Sequence, residues 1–185
     1  MFEEEVAEYT GSSYAVSVDS CTNALFLCCK YLNVLDVEIP KHTYISVAHS
    51  ILHAGGKVSF NDAPWQGIYQ LKPYALYDAA KRFTSQMYIP DTLMCLSFHI
   101  KKHLKIGKGG VLTDDIDVVN WLRKARYEGR NEIGYQTDDI STLGWNMYMT
   151  PVEAAQGLML MQNIPQHNED LKESYPDLSK FTLFK

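Results

Sequence analysis

Apolar residues recur along this chain in two rhythms, and the rhythms take turns. "FEEEVAEY" (Phe2 to Tyr9) reads as an acidic helix broken by Gly11, and "YAVSV" (Tyr14 to Val18) reads as a short buried strand. In "DSCTNALFLCCKYLNV", Ser20 or Thr22 can cap a helix whose apolar side is Ala24, Leu25, Leu27, Cys28 and Leu32. "VEIP" predicts a second strand ended by Pro40, and "TYISVAHSILHAG" predicts a helix closing at Gly55-Gly56. "KVSFND", "YALYDAA", "TLMCLSF" and "GGVLTDD" continue the strand series. "DIDVVNWLRKARYEG" predicts a helix stopped by Gly129. "TPVEAAQGLMLMQNI" predicts another, with Thr150 as N-cap, Pro151 at N1 and Glu153 at N3 of a capping box.

Strand and helix alternate through the first half, and the strands are short apolar runs. The expectation is an α/β fold with a mostly parallel sheet sandwiched by helices. Residues 1–164 form the expected domain. The stretch 165–185 is polar and contains Pro165 and Pro176, so it is expected to be an extended or loosely docked C-terminal arm. The chain has 185 residues with 46% hydrophobic and 21% charged, which is ordinary for a soluble globular protein. Its formal charge of -5 argues against a nucleic-acid partner. Cys21, Cys28, Cys29 and Cys95 form no CxxC pair and no zinc-like spacing with histidine, so no metal is expected. The acidic opening is unlike a signal peptide and no apolar run approaches a membrane span, so no membrane is expected and the reading is cytoplasmic.

In open parallel sheets, ligands bind beyond the carboxyl ends of the strands. "SVDSCTN" runs from a strand into a helix start, which suits a phosphate. "YDAAK" places Asp78, "LSFH" places Ser97 and "HTYIS" places Tyr44 at similar ends. Each alone reads as an ordinary cap or turn. "CLSFHIKKHLKIGKGGVLTDD" crowds Lys101, Lys102, Lys105 and Lys108 around one turn, followed by Gly107, Gly109 and Gly110. For Lys105 and Lys108 a solvated face is the plainer reading. A lysine beyond a strand end, facing a phosphate-suited helix start and a carboxylate, can instead carry a Schiff base. Pyridoxal phosphate needs such a lysine, an acid for its pyridine nitrogen, an aromatic face and a phosphate cup. All of these residue types are present.

The ordered blocks carry a resemblance. "FEEEVAEYTGSSYAVSVDSCTNAL", "VEIPKHTYISVAHSILHAGGKVSFND", "YDAAK", "SFHIKKHLKIGKGGVLTDD" and "LGWNMYMTPVEAAQGLMLMQ" resemble, in order, the motifs of the DegT/DnrJ/EryC1/StrS sugar aminotransferases. That family has the aspartate-aminotransferase (type I) fold. The resemblance implies the large domain that binds pyridoxal 5'-phosphate, without the C-terminal small domain and with a shortened N-terminus. It implies Lys102, not Lys101, as the Schiff-base lysine and later general base. Asp78 would pair with the pyridine nitrogen and Tyr44 would stack on the ring. Cys21, Thr22 and Ser97 would line the phosphate cup. Asn146 would reach the phosphate of a neighbouring subunit, which implies a homodimer. Cys21 stands where the family has glycine. Lys81 stands where it has glutamine or histidine, near the cofactor's 3-hydroxyl, and could change ring electronics or add a second amine.

The implied function is amination of a keto sugar, nucleotide-linked, with glutamate as donor. One alternative is a minimal pyridoxal-phosphate protein with other chemistry on a small substrate or on the cofactor itself. Another is a non-catalytic partner subunit. A nucleotide site on Asp19 to Asn23 is weaker, because neither GxGxxG nor GxxxxGK[ST] occurs.

Overall fold

The computed structural model describes residues 1–185. In chain order the elements are α1 (Phe2–Thr10), β1 (Tyr14–Val18), α2 (Cys21–Tyr31), β2 (Asp36–Pro40), α3 (Ile45–Ala54), β3 (Lys57–Asn61), β4 (Tyr69–Gln70), β5 (Leu76–Asp78), β6 (Leu93–Phe98), β7 (Lys108–Thr113), α4 (Ile116–Ala125) and α5 (Pro151–Met161). The expected helices and strands are all present. Two local expectations fail. The short strand β4 was not foreseen, and α4 ends at Ala125 with Arg126 as its cap, ahead of Gly129.

The α/β class holds, but the mostly parallel sheet does not. A five-stranded sheet has the order β1-β7-β6-β5-β4, and β2-β3 form a separate parallel pair. Within the larger sheet only β5 and β6 pair in parallel; β7 runs antiparallel to both β1 and β6, and β4 antiparallel to β5. The reason is connection length. Residues 99–107 and 71–75 join β6 to β7 and β4 to β5, and a parallel crossover needs about a dozen residues or more. Because β7 lies inverted between them, β1 and β6 still point the same way. Glu38 and Lys72 exchange two backbone hydrogen bonds, Glu38 N to Lys72 O at 2.9 Å and Lys72 N to Glu38 O at 3.0 Å, across an antiparallel bridge. That bridge aligns β2 with β5. The carboxyl ends of β1, β2, β5 and β6 therefore meet at one edge.

Period-2 alternation sorts each strand between two cores. On one face Val16, Val18, Leu76, Cys95 and Val111 pack with Leu25 and Cys28 of α2, Ile51 of α3 and Leu122 of α4. On the other, Ala15, Met94, Leu96, Phe98 and Leu112 pack with Phe2 and Val6 of α1 and Met161 of α5. With both faces covered, β6 is nearly continuously buried. Helix ends follow the local chemistry. The Ser20 hydroxyl accepts from Asn23 N at 3.1 Å to start α2, and Thr150 N donates to the Glu153 carboxylate at 2.9 Å to start α5.

The stretch 165–185 contains two short 3-10 turns, Leu178–Lys180 and Thr182–Phe184, and it is not loosely docked. Leu178 is fully buried in the α2-side core and its N–H donates to Lys41 O at 2.9 Å. Arg82 grips Asp170 with two nitrogens at 2.8 and 2.7 Å, and Leu171 N donates to Lys81 O at 3.0 Å. A buried leucine and a two-point ion pair outweigh the polar composition that made the arm look free.

Candidate functional site

Alternation along the strands decides which polar groups leave the core on the α2 side. Leu76 and Cys95 lie in that core, so Asp78 and Ser97, each two residues further on, emerge beyond it on the same face. Ser97 pairs with Gly109 of β7, and Gly109 also pairs with Val18 of β1. A Cβ on Gly109 would lie 2.3 Å from Cys21 N, a backbone contact that cannot yield. Glycine there lets the first turn of α2 sit directly against the sheet. The amides at a helix start have no intrahelical partner and carry the positive end of its dipole. Gly107, with φ +88°, turns the lysine loop back into β7.

These features surround one cavity of about 300 Å³. The hollow between Phe2, Ala15 and Gly110 holds only about 10 Å³, too little for a ligand. Of the residues singled out in the sequence, Cys21, Thr22, Tyr44, Asp78, Ser97 and Lys102 all line the larger cavity. Asn146 does not: it is exposed, bridges Tyr127 across an antiparallel pair, and donates from Nδ2 to Glu128 Oε1 at 3.2 Å.

Asp78 lies at the cavity floor, 5% exposed. Its Oδ1 accepts from Ala80 N at 2.8 Å and its Oδ2 accepts from the Tyr69 hydroxyl at 2.9 Å. With its one proton committed there, Tyr69 receives the Thr43 hydroxyl at 2.7 Å. Burial pushes the Asp78 carboxyl above its usual range, outweighing those hydrogen bonds and the nearby Lys102 and Lys81 charges. Burial also raises the Cys21 thiol well above its ordinary value, with Asp78 adding to the effect, so this cysteine is a poor nucleophile.

The lysines differ sharply. Lys102 is half-buried, and its charge acts on Asp78, Cys21, Lys81 and Glu173. Buried Leu104 and Ile106 pin its loop from the α1/α5 side, and Lys102 N donates to His99 O at 2.7 Å. Lys101 touches the cavity rim but is exposed. Lys105 is exposed as expected. Lys108 departs from the solvated-face reading, because its ammonium lies 2.9 Å from Glu153 Oε1 and is mostly covered.

Sequence reasoning missed the opposite wall. Glu173 and Tyr175, on the C-terminal arm, line the cavity together with Trp65. The Tyr175 hydroxyl donates to Glu173 Oε2 at 2.7 Å, His42 Nδ1 donates to Tyr175 O at 3.0 Å, and the Tyr175 ring lies 6.1 Å from that of Tyr44. The Tyr175 bond, with Lys81 and Lys102 nearby, holds the Glu173 carboxyl below its usual range. Lys81, 3% exposed, points its ammonium at Glu173 Oε2 at 3.4 Å and over the Tyr175 ring at 4.3 Å. A lysine just past a strand end was the available signal: once buried it must find an anion, and both oxygens of nearby Asp78 are already taken by Ala80 and Tyr69.

Set against known proteins, residues 1–90 and 89–180 match the model of the DegT/DnrJ/EryC1/StrS aminotransferase family. The spore coat polysaccharide biosynthesis protein SpsC of Bacillus subtilis is 24% identical across 88% of this chain and 56% of its own length. Among solved structures, S. venezuelae DesV in complex with a ketimine intermediate superposes with a TM-score of 0.74 at 22% identity, over 88% of this chain and 56% of that one. The ntda protein of Bacillus subtilis, with bound cofactor PMP, gives 0.73 at 18% identity, over 88% and 47%. The chain thus spans about half the length of the relatives it matches.

Proposed function

The chain belongs to the DegT/DnrJ/EryC1/StrS aminotransferase family, and on that premise we propose that its cavity binds pyridoxal 5'-phosphate through Lys102 and serves transfer of an amino group from glutamate to a keto sugar. The observation that carries this reading is that Asp78, Lys102 and the start of α2 converge on one cavity at the carboxyl edge of the strands. The donor set fits the group. The α2 amides with the Thr22 and Ser97 hydroxyls suit a phosphate. Asp78 is a buried carboxylate whose raised pKa calls for a cationic partner, and a protonated pyridine nitrogen is one. Tyr44, more than half exposed at the mouth, can stack on a ring face. The Cys21 side chain replaces only a Cβ-free position, and its amide remains available.

When bound, pyridoxal phosphate supplies an aldehyde that takes up an amine and a ring that accepts electrons released at the substrate carbon. The protein's own work is positional and protolytic. Ionised Asp78 keeps the pyridine nitrogen protonated, and its Tyr69 and Ala80 hydrogen bonds fix its direction. With the group bound, the Lys102 amine would be the base that takes the proton from the substrate carbon, and as an ammonium it would return that same proton to the cofactor carbon. The arm with Glu173 and Tyr175 forms one side of the cavity. Residues 1–164 act as the cofactor domain and 165–185 as its cover.

Asn146 would serve the cavity of a second copy. Its exposure supports this, as do Leu143 at 76%, Val152 at 79% and Met159 at 70% exposed on the neighbouring loop and α5. The cavity volume of about 300 Å³, at the small end for ligand sites, also favours a second reading, in which the substrate is a small amine.

The test is direct. Purified protein with added pyridoxal phosphate should show a visible band, and borohydride should fix a pyridoxyl group on Lys102. Lys102→Ala should lose both, while Lys101→Ala keeps them. A label on Lys101, or scattered over surface lysines, would sink the assignment.

A further inference from the structure

A buried lysine with a movable anion is a recognition site waiting for another anion. Lys81 is almost wholly enclosed, yet its single carboxylate partner is Glu173, whose side chain is 52% exposed and only 3.4 Å away. The other walls around the ammonium are rings: Tyr175 at 4.3 Å and Trp65 at 5.6 Å. Those faces favour a cation but do not neutralise it. Asp78 is nearby, but both of its oxygens are already engaged by Ala80 and Tyr69.

Glu173 sits on a segment with no helix or strand. The segment is held on one side by the Arg82–Asp170 pair and on the other by buried Leu178. Between those anchors the Glu173 side chain is held by Lys81 and by the Tyr175 hydroxyl alone. Lys81 is fixed and the carboxylate facing it is the exchangeable member.

We propose that Lys81 is the anchor for a carboxylate of the amino donor, and that Glu173 is a built-in competitor that occupies this anchor until a carboxylate-bearing ligand displaces it. This deepens the reading of the cavity as an amine-transfer site and rests on it. It narrows the donor to amino acids and their oxo acids, with dicarboxylates favoured because a second carboxylate can use Lys101 at the rim. Displaced Glu173 moves into solvent, where its charge is hydrated, so the exchange leaves no buried anion unpaired.

The experiment is a calorimetric titration of the whole chain with glutarate, with and without saturating pyridoxal phosphate, and with uncharged glutaramide as control. Wild type should bind glutarate and not glutaramide. Glu173→Gln should tighten glutarate binding by about threefold to fivefold, the range of a partly exposed ion pair. Lys81→Met should weaken it by about tenfold or more, as for loss of a charge-assisted hydrogen bond. Circular dichroism and melting confirm that each variant is folded. Glutarate binding untouched by Lys81→Met, no tightening in Glu173→Gln, equal binding of glutaramide, or no glutarate binding at all would overturn the proposal. Borohydride labelling of Lys102 in the same samples separates the two readings. Label without the Lys81 dependence removes this inference and leaves the cofactor site standing. Lys81 dependence without label removes the cofactor assignment.

Discussion

The cavity has two walls built in different ways. One wall is sheet and helix start: Asp78, Ser97, Gly109 and Cys21 are held by strand ladders and by contact between α2 and β7. The other is coil: Glu173 and Tyr175 are held by side-chain bonds and by anchors on either side. On the first wall the backbone sets every direction, so a group moves only if the fold does. On the second, side-chain contacts set direction, so it can yield to a ligand while the fold stays intact. Asp78 and Ser97 thus lie on the wall that holds still, and Glu173 on the one that can give way.

The strongest way to break the comparison is on the rigid wall. Gly109→Ala would place a methyl against Cys21 N, with backbone on both sides. It should cost about 3 kcal/mol or more, as overpacking without room to relax does. The urea midpoint should fall, and cofactor labelling should fall with it. Full labelling with a normal midpoint would mean that the start of α2 can retreat from the sheet.

Next is the arm's own anchor. Leu178→Ala should cost about 2–3 kcal/mol, because the leucine is fully buried in the α2-side core. The outcome that would sharpen the contrast is an unchanged midpoint with new tryptic cleavage at Lys172 or Lys180, which would make the arm a separately opening unit. Asp170→Asn should act more weakly, by about 1 kcal/mol, since the pair with Arg82 is only partly buried. Hydrogen exchange should quicken in residues 168–177 and leave β6 unchanged.

The smallest effect is a pH dependence at Asp78. Burial raises its folded pKa above the unfolded value. Its favourable contribution to the cofactor-free protein is therefore complete below the unfolded pKa and is lost as pH rises through the folded pKa. Cofactor binding has the opposite sign, because the pyridinium needs the ionised form. Affinity should strengthen over that same rise. Asp78→Asn should flatten both curves, as read from urea midpoints and cofactor titrations across the acidic range.

Much of this was legible from residues alone. The alternation of short apolar strands with capped helices announced α/β, and the positions of Asp78, Ser97 and Tyr44 pointed to the edge where the cavity lies. The residues alone left the lysines of that turn open, and it was the resemblance to the family's motif that singled out Lys102 over Lys101; Lys102 is the half-buried one and lines the cavity with Asp78, while Lys101 is exposed at its rim. Strand direction was misjudged because apolar runs look alike in either sense, and the short connections at 99–107 and 71–75 carried the needed information. The arm was misjudged because its mean polarity concealed one deeply buried leucine.

The sequence by itself determined the elements, the faces they bury and the polar groups that end each strand, because periodicity and capping act between residues close along the chain. Only the tertiary structure decided that β7 inverts between β1 and β6, that Gly109 admits the start of α2, and that Glu173 meets Lys81. Those contacts join residues distant in sequence, and their energies come from packing and charge across a space that local patterns do not describe.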